Sequence, residues 1–324
     1  MSRTCGGAVI WDDVEKEALR RVLWRLSEFT GVRILTYCVM HNHFHVLAEV
    51  PNRESWLEQR FSGPEGEARL LRHLRILYSR SYIESLQVEL AEWRKCGQER
   101  LAQERLEGIR RRFCDLTVFI KEVKERFSRW YNKRHQRKGT LWMDRFKSVL
   151  VEGRDEPLLT MALYIDLNPV RAGICADPQN YRWCGYAEAL AGDVACQRGI
   201  CRVMAHDEDA WLRHSVGEGY RRMLFDTAVE VLDDEGKVVR SGITRRAAED
   251  VLLTGGKLSR GDLIRHRVRY FSDGVALGGR DFVEAVFRRR RRQFSPQRKN
   301  GARHLAEADG QLFSLRNLRV RPIG

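Results

Sequence analysis

The chain has 324 residues, 43% of them hydrophobic, enough for a sizeable core in one large domain or two. Lys and Arg outnumber Asp and Glu by 58 to 44, a net charge of +14, and such an excess suits a polyanionic partner, most often nucleic acid. No stretch approaches the roughly 20 apolar residues of a membrane helix, MSRTCGGAVIW lacks the regions of a signal peptide, and eight irregularly spaced cysteines without a CxxC pair read as reduced thiols of a cytoplasmic protein.

The elements follow in chain order. SRTCGGAVIW holds a short strand. Residues 12–30 form an amphipathic helix, with Asp12 or Asp13 as cap, Leu19, Val22, Leu23, Leu26 and Phe29 on one face, and Gly31 as its end. VRILTYCVM and HFHVLAEVP are β-branched and aromatic, hence strands, with MHN either in their connection or in the second strand. Residues 52–112, rich in Leu, Glu and Arg at helical spacing, read as a helical insertion. Residues 114–132 make a further helix, followed by the basic loop KRHQRKGTLW and the alternating strand RFKSVLVEG. DEPLLTMALYIDL is a short helix, its stop near Asn168 set by Pro169, which disfavours helical geometry in the residue before it.

This order predicts an α+β fold, the ferredoxin-like βαββαβ sandwich with an antiparallel sheet. The first strand is short for that role, so a coding extension upstream of Met1 is expected; a stop codon just before Met1 would exclude it. YRWCGYAEALAGD closes this domain, placed at 1–190 with its helical insertion at about 52–112. Residues 191–324 form a mainly helical accessory region: 191–240 read as irregular around DDEGK, and 243–294 as short helices ending in Arg288–Arg292. That helical stretch is either a helix-turn-helix-like module or a dimerisation appendage. The tail from Ser295 is partly loop and still basic.

His41, His43 and His45 alternate, so they share one face if a single strand carries all of them. Imidazoles two residues apart suit one divalent cation, against the alternative of a polar sheet face; spacing alone does not choose the ion and leaves ligands missing. Leu158, Met161, Ala162 and Ile165 form the apolar stripe of the short helix, and Tyr164 and Asn168 neighbour each other on an adjacent face. Asn168 offers an amide oxygen for a hard cation and Tyr164 a phenol, although without the histidines ordinary amphipathic packing is the better account of a tyrosine there. Residues 121–147 are basic and interleaved with Trp130, Tyr131 and Trp142. There Arg129, Lys133, Arg134, Arg137, Lys138, Arg145 and Lys147 are candidate phosphate contacts and the rings candidate stacking platforms.

VMHNHFHVLAEVP, RWYNKRHQRKGTLWMDRFKSVLVE and YIDLNPVRAG, in that order, resemble the single-tyrosine transposases of the His-hydrophobic-His (HUH) superfamily, in particular the REP-associated tyrosine transposases. The similarity covers about residues 1–190. It implies a ferredoxin-like core, metal histidines at His43 and His45, a nucleophile at Tyr164 and a completing ligand at Asn168; His41 falls outside the set. The activity implied is metal-dependent cleavage and joining of single-stranded or hairpin DNA, with Mg²⁺ or Mn²⁺ and a covalent 5′-phosphotyrosine, as monomer or homodimer. It also implies a cytoplasmic, nucleoid-associated location in a prokaryotic cell, with no membrane partner. Conserved bond energy in that intermediate removes any need for ATP, in keeping with the lack of a Walker-type loop.

Two other readings stand beside it. One is a domesticated DNA-binding protein with little or no catalytic activity. The other is a zinc hydrolase using His41, His43 and His45, which lacks an obvious carboxylate base nearby.

Overall fold

The computed structural model describes residues 1–228, 231–232, 238–240, 274–305 and 312–316. DDEGK and most of the expected helix-turn-helix-like stretch, 241–273, lie outside the described residues. The chain is mixed α+β, with small antiparallel and mixed sheets. No helix among the described residues is long and apolar enough to cross a membrane. The chain divides into two compact units, one of residues 1–10, 35–47 and 143–324, the other of 11–34 and 48–142.

The second unit is helical. Asp12 caps α1 (Asp13–Thr30), accepting from the backbone N–H groups of Val14 and Glu15, while the Glu15 carboxylate accepts from the Asp12 N–H in return. Asp115 caps α6 (Leu116–Arg134), which packs along α1. The Leu/Glu/Arg-rich stretch folds as α2 (Arg53–Phe61), α3 (Gly66–His73), α4 (Arg80–Lys95) and α5 (Glu99–Arg110). Their leucines join Phe29, Trp56, Phe61 and Phe113 in one apolar core. The alternation of charge around that core is met by bidentate pairs such as Arg94–Glu67 and Arg112–Glu122.

The other unit carries the sheets. β1 (Ser2–Arg3), β3 (His43–Glu49) and β2 (Arg33–Val39) form one sheet in the order β1-β3-β2, with β1 antiparallel to β3. Backbone hydrogen bonds extend it at both edges. Met143 and Lys147 donate to the carbonyls of Arg3 and Met1. On the far side Val39 donates to Trp183, and Cys38 bridges to Cys184.

RFKSVLVEG is therefore divided between two sheets rather than forming one strand. Its first part follows β1, whereas β4 (Leu150–Val151) pairs parallel with β7 (Ala276–Gly278), in a sheet of order β4-β7-β9-β8. The partner of β4 lies more than a hundred residues away in sequence, so alternation alone does not reveal the change of sheet. β8 is Arg303–His304 and β9 is Phe313–Leu315. β5 (Val231–Leu232) and β6 (Val238–Arg240) make a separate antiparallel pair. The short strands β7 and β9 are too brief to show a period, which is why the accessory region read as mainly helical.

Around the first sheet lie α7 (Asp155–Asp166), α8 (Asn168–Arg171), α9 (Gly185–Leu190), α10 (Val194–Val203) and α11 (Val216–Ala228). α10 corrects the irregular reading of 191–240. Its buried face is built from Cys196, Gly199, Ile200 and Val203, and a glycine in that face is a poor helix signal. The glycine is there because a Cβ on Gly199 would fall 2.2 Å from the Leu35 carbonyl oxygen. The last described helix, α12 (Arg280–Arg289), packs on β7 and β9 around Val283, Val286 and Phe287.

Candidate functional site

The strand holding the histidines begins at His43, so His41 belongs to the turn before it. Met40 closes that turn by donating to the His43 carbonyl. His43 and His45 keep their shared face, with ring centroids 5.1 Å apart. Arg3 pairs directly opposite His43 on β1, which puts both side chains on the same face.

Asn42 sets the orientation of His43. Its Nδ2 donates to the Gly7 carbonyl, and its Oδ1 lies 2.6 Å from Nδ1 of His43. With the amide fixed in this way, Nδ1 of His43 carries the proton and Nε2 keeps its lone pair, the tautomer a metal ligand needs. Burial, then the charge of Arg3, pulls the His43 pKa down to about 4. His45 is 5% exposed, and burial holds its pKa well below the usual imidazole value. Both rings are neutral at pH 7 and available as ligands.

Tyr164 comes to them from α7. Its ring stands edge-on to His45 at 5.7 Å between centroids, nearly perpendicular. α7 is buried all round rather than along the one stripe expected: Leu158, Leu159, Thr160 and Met161–Asp166 are inside, and Tyr164 is 2% exposed. Tyr164 sits in the interior because α10, α11, β4 and β7 all pack on this helix.

Past Asp166 the chain does not leave helical geometry for good. Leu167 forms a single turn residue and α8 then runs through Pro169. The reason lies in Asn168. Pro169 lacks the N–H that would serve the Ile165 carbonyl. The Asn168 Nδ2 donates instead to Ile165 at 3.2 Å and to Tyr164 at 2.7 Å. This holds the nitrogen against the helix and turns Oδ1, the oxygen able to ligate a cation, to the other side of the amide.

Arg171, in the NPVRAG stretch, carried no role in the sequence reading. Its guanidinium carbon lies 5.0 Å from the Tyr164 ring centroid, and it hydrogen-bonds Tyr164. Its Nη1 is buried with no hydrogen-bond partner among the described residues. Burial lowers its pKa, with Tyr164 opposing. An unpaired buried N–H costs roughly 1–3 kcal/mol, and a cationic donor left so beside the phenol of Tyr164 and the imidazole of His45 suits an anion. Asn42 and Arg171 both flank the motifs, but their roles depend on partners distant in sequence.

The opposite side of α7 holds Asp166, fully buried. Thr36 Oγ1 donates to it at 2.8 Å and Tyr220 Oη at 2.7 Å. Burial outweighs these donors and raises its pKa to about 7. Another carboxylate group, Glu188 and Asp193 with Cys196, is close enough for one cation. Both carboxylates are already engaged in holding the fold. Glu188 accepts from Tyr37 at 2.6 Å, and Asp193 caps α10 through the Cys196 N–H.

The basic candidates divide by unit. Arg145 and Lys147 are exposed beside β1. In the helical unit Arg129, Lys133, Arg134, Arg137 and Lys138 are exposed. Arg134 pairs with the buried Glu15 at 3.2 Å, beside His135 at 2.9 Å, and Arg137 lies over the Tyr131 ring. The expected stacking platforms are not on the surface. Trp142 is 8% and Tyr131 5% exposed, packed with Trp11 and Phe127, and only Trp130 is half-exposed. Their spacing along a basic segment concealed that they are the core of the α1–α6 pair.

No family model matches the chain, no curated protein matches it, and no solved structure matches it.

Proposed function

We propose that the chain is a metal-dependent single-stranded DNA endonuclease and strand transferase of the REP-associated tyrosine transposase type, acting through a phosphotyrosine at Tyr164. The observation that carries this reading is the meeting of His43, His45 and Tyr164, with ring centroids 5.1 and 5.7 Å apart, from segments more than a hundred residues apart in sequence. A ferredoxin-like core is supported by the bonding of 143–147 to β1, which sets the last strand of the βαββαβ series beside the first.

The donor set suits Mg²⁺ or Mn²⁺: two neutral imidazoles and an amide oxygen, with Asn42 fixing one tautomer. His43, His45 and Asn168 would hold the ion, which would neutralise charge growing on a scissile phosphate. Arg171 would take a phosphate oxygen with its unpaired Nη1, and Arg3 lies on the same face as His43. The Tyr164 oxygen would attack phosphorus as the phosphorus–3′-oxygen bond breaks, and the proton given up by the phenol would pass through solvent to the departing 3′ oxygen, which leaves as a hydroxyl. Exposed cations at Arg129, Lys133, Lys138, Arg145 and Lys147 suit the DNA backbone. Single-stranded or hairpin DNA formed by a palindromic repeat is the proposed substrate.

The 2% exposure of Tyr164 favours a second reading, a DNA-binding protein with little catalysis. Incubation with a labelled hairpin oligonucleotide and Mg²⁺ or Mn²⁺ separates the two. The enzyme reading expects a covalent protein–DNA adduct that disappears in Tyr164→Phe and His43→Ala; binding without adduct, across repeats from the protein's own genome, sinks it.

A further inference from the structure

We propose that the module formed by α12, the turn after it and β8 is a second DNA-binding surface, which grips the phosphate backbone of duplex DNA without reading its sequence. It goes beyond the His–Tyr site and does not depend on it. Residues 280–305 contain nine Lys and Arg and two acids, a net +7, half of the +14 of the whole chain. Neither acid offsets the run. Glu284 is engaged, accepting from the N–H groups of Gly301 and Ala302, and Asp281 sits beside Arg280 in the first turn of α12, at the far end from Arg288–Arg292.

Two of the arginines build the module. Arg291 donates to the carbonyls of Ser295 and Pro296 and lies over the Phe287 ring. Arg298 donates to the carbonyls of Asn300, Gly301 and Arg316, with its guanidinium over Phe287 and Phe294. A Cβ on Gly301 would strike the Phe287 side chain at 2.3 Å, so only glycine lets the returning loop seat there. The loop is thereby folded back onto the helix end.

The other cations stay outside. Arg280, Arg288, Arg289, Arg290, Arg292, Lys299 and Arg303 are exposed and form no ion pair among the described residues. Favourable contact with the C-terminal end of a helix dipole accounts for Arg288 and Arg289, in the last turn of α12, and not for the rest. The aromatic rings of this module decide between strand types. Phe287 and Phe294 are buried under Arg291 and Arg298, Phe282 is packed against the same core, and the one exposed ring of the module, His304, rests edge-on against Phe313, so the surface offers charge and little to stack on. Single-strand grooves pair cations with exposed rings; cations alone match the regular phosphates of a duplex.

The test is fluorescence anisotropy of the full chain in EDTA, with a labelled hairpin of unrelated stem sequence and an unstructured oligonucleotide of equal length, across a NaCl series. The triple charge reversal R288E/R289E/R292E should weaken hairpin binding about 10- to 100-fold and shallow the slope of log K against log salt by roughly 2–3, near 0.9 per lost phosphate contact. The triple lysine variant should stay within about threefold of wild type, which a base-reading arginine would not allow. Unchanged hairpin affinity and slope in the reversal variant overturn the proposal. An equal loss on the unstructured oligonucleotide overturns the duplex assignment. Should the reversal variant unfold, R288Q/R289Q/R292Q takes its place with the same expected direction. EDTA removes any cleavage, so failure of the nuclease reading leaves this result interpretable.

Discussion

The two sides of α7 both hold polar groups away from water, and they are finished differently. On one side Asp166 receives Thr36 and Tyr220 at 2.8 and 2.7 Å. On the other, Nη1 of Arg171 has no partner among the described residues, and Nε2 of His43 keeps its lone pair because Nδ1 faces the Asn42 oxygen. Satisfied networks hold elements together; unsatisfied donors and lone pairs cost stability and persist where a ligand completes them. By this comparison Asp166 ties β2, α7 and α11 into one unit, and the His–Tyr–Arg side is the one left for a ligand to complete, as the proposed nuclease requires.

The largest expected effect breaks the comparison at the reactive side. Tyr164→Phe should remove adduct formation by at least about a thousandfold, while the loss of one hydroxyl shifts unfolding free energy by only about 1 kcal/mol; a gel assay alongside urea denaturation reads both. Asp166→Ala should do the reverse. Leaving the Thr36 and Tyr220 hydroxyls unpaired in a buried site should cost roughly 2–4 kcal/mol, with Mn²⁺ affinity of the folded fraction unchanged by calorimetry. If Asp166→Ala leaves stability intact, the network is not what joins these elements.

A smaller effect sharpens the contrast through pH. His43 is held near 4 in the folded protein, against an imidazole reference of about 6.5, so the unfolded chain binds the extra proton between those values and stability rises with pH across that window. Asp166 is raised to about 7 from a carboxylate reference of about 3.9, so here the folded protein binds the extra proton and stability falls as pH rises from about 4 to 7. The two slopes oppose each other. Denaturant titrations in EDTA should show a steeper rise with pH in Asp166→Asn than in wild type, and a shallower one in His43→Gln, where the buried His45 still contributes a rise of its own. Parallel curves for all three proteins would show that these groups do not titrate as their surroundings imply.

The least effect concerns orientation. Asn42→Ala removes the contact to Nδ1 of His43 and should weaken Mn²⁺ binding about 10-fold or more, as loss of an orienting partner does, with little change in the adduct's position. An unchanged metal affinity would mean that the turn alone sets the ring.

How much of this was legible in the sequence follows from range. HFH alternates within one strand, and Tyr164 precedes Asn168 by one helical turn, so local periodicity displays both. The capping box at Asp12 and Glu15 and the apolar face of α1 are local in the same sense. Arg171 and Asn42 escaped because their roles come from one unpaired nitrogen and from a carbonyl at Gly7, which no period encodes. α10 escaped because its buried face uses Gly199 and Cys196, residues that weigh little in a hydrophobic pattern. Trp142 and Tyr131 misled in the opposite way: a ring beside arginines looks like a stacking platform until Trp11 and Phe127 are seen packed on it.

One measurement bears most directly on the central claim. Trypsin cleavage after Arg154 and Arg171 yields DEPLLTMALYIDLNPVR, in which Tyr164 is the only tyrosine. After reaction of wild-type protein with a hairpin oligonucleotide and Mn²⁺, mass spectrometry of this peptide should show it carrying a nucleotide through the phenol. A modified nucleotide on any other peptide, or no covalent nucleotide at all while the DNA is bound, would contradict the assignment of Tyr164 as nucleophile.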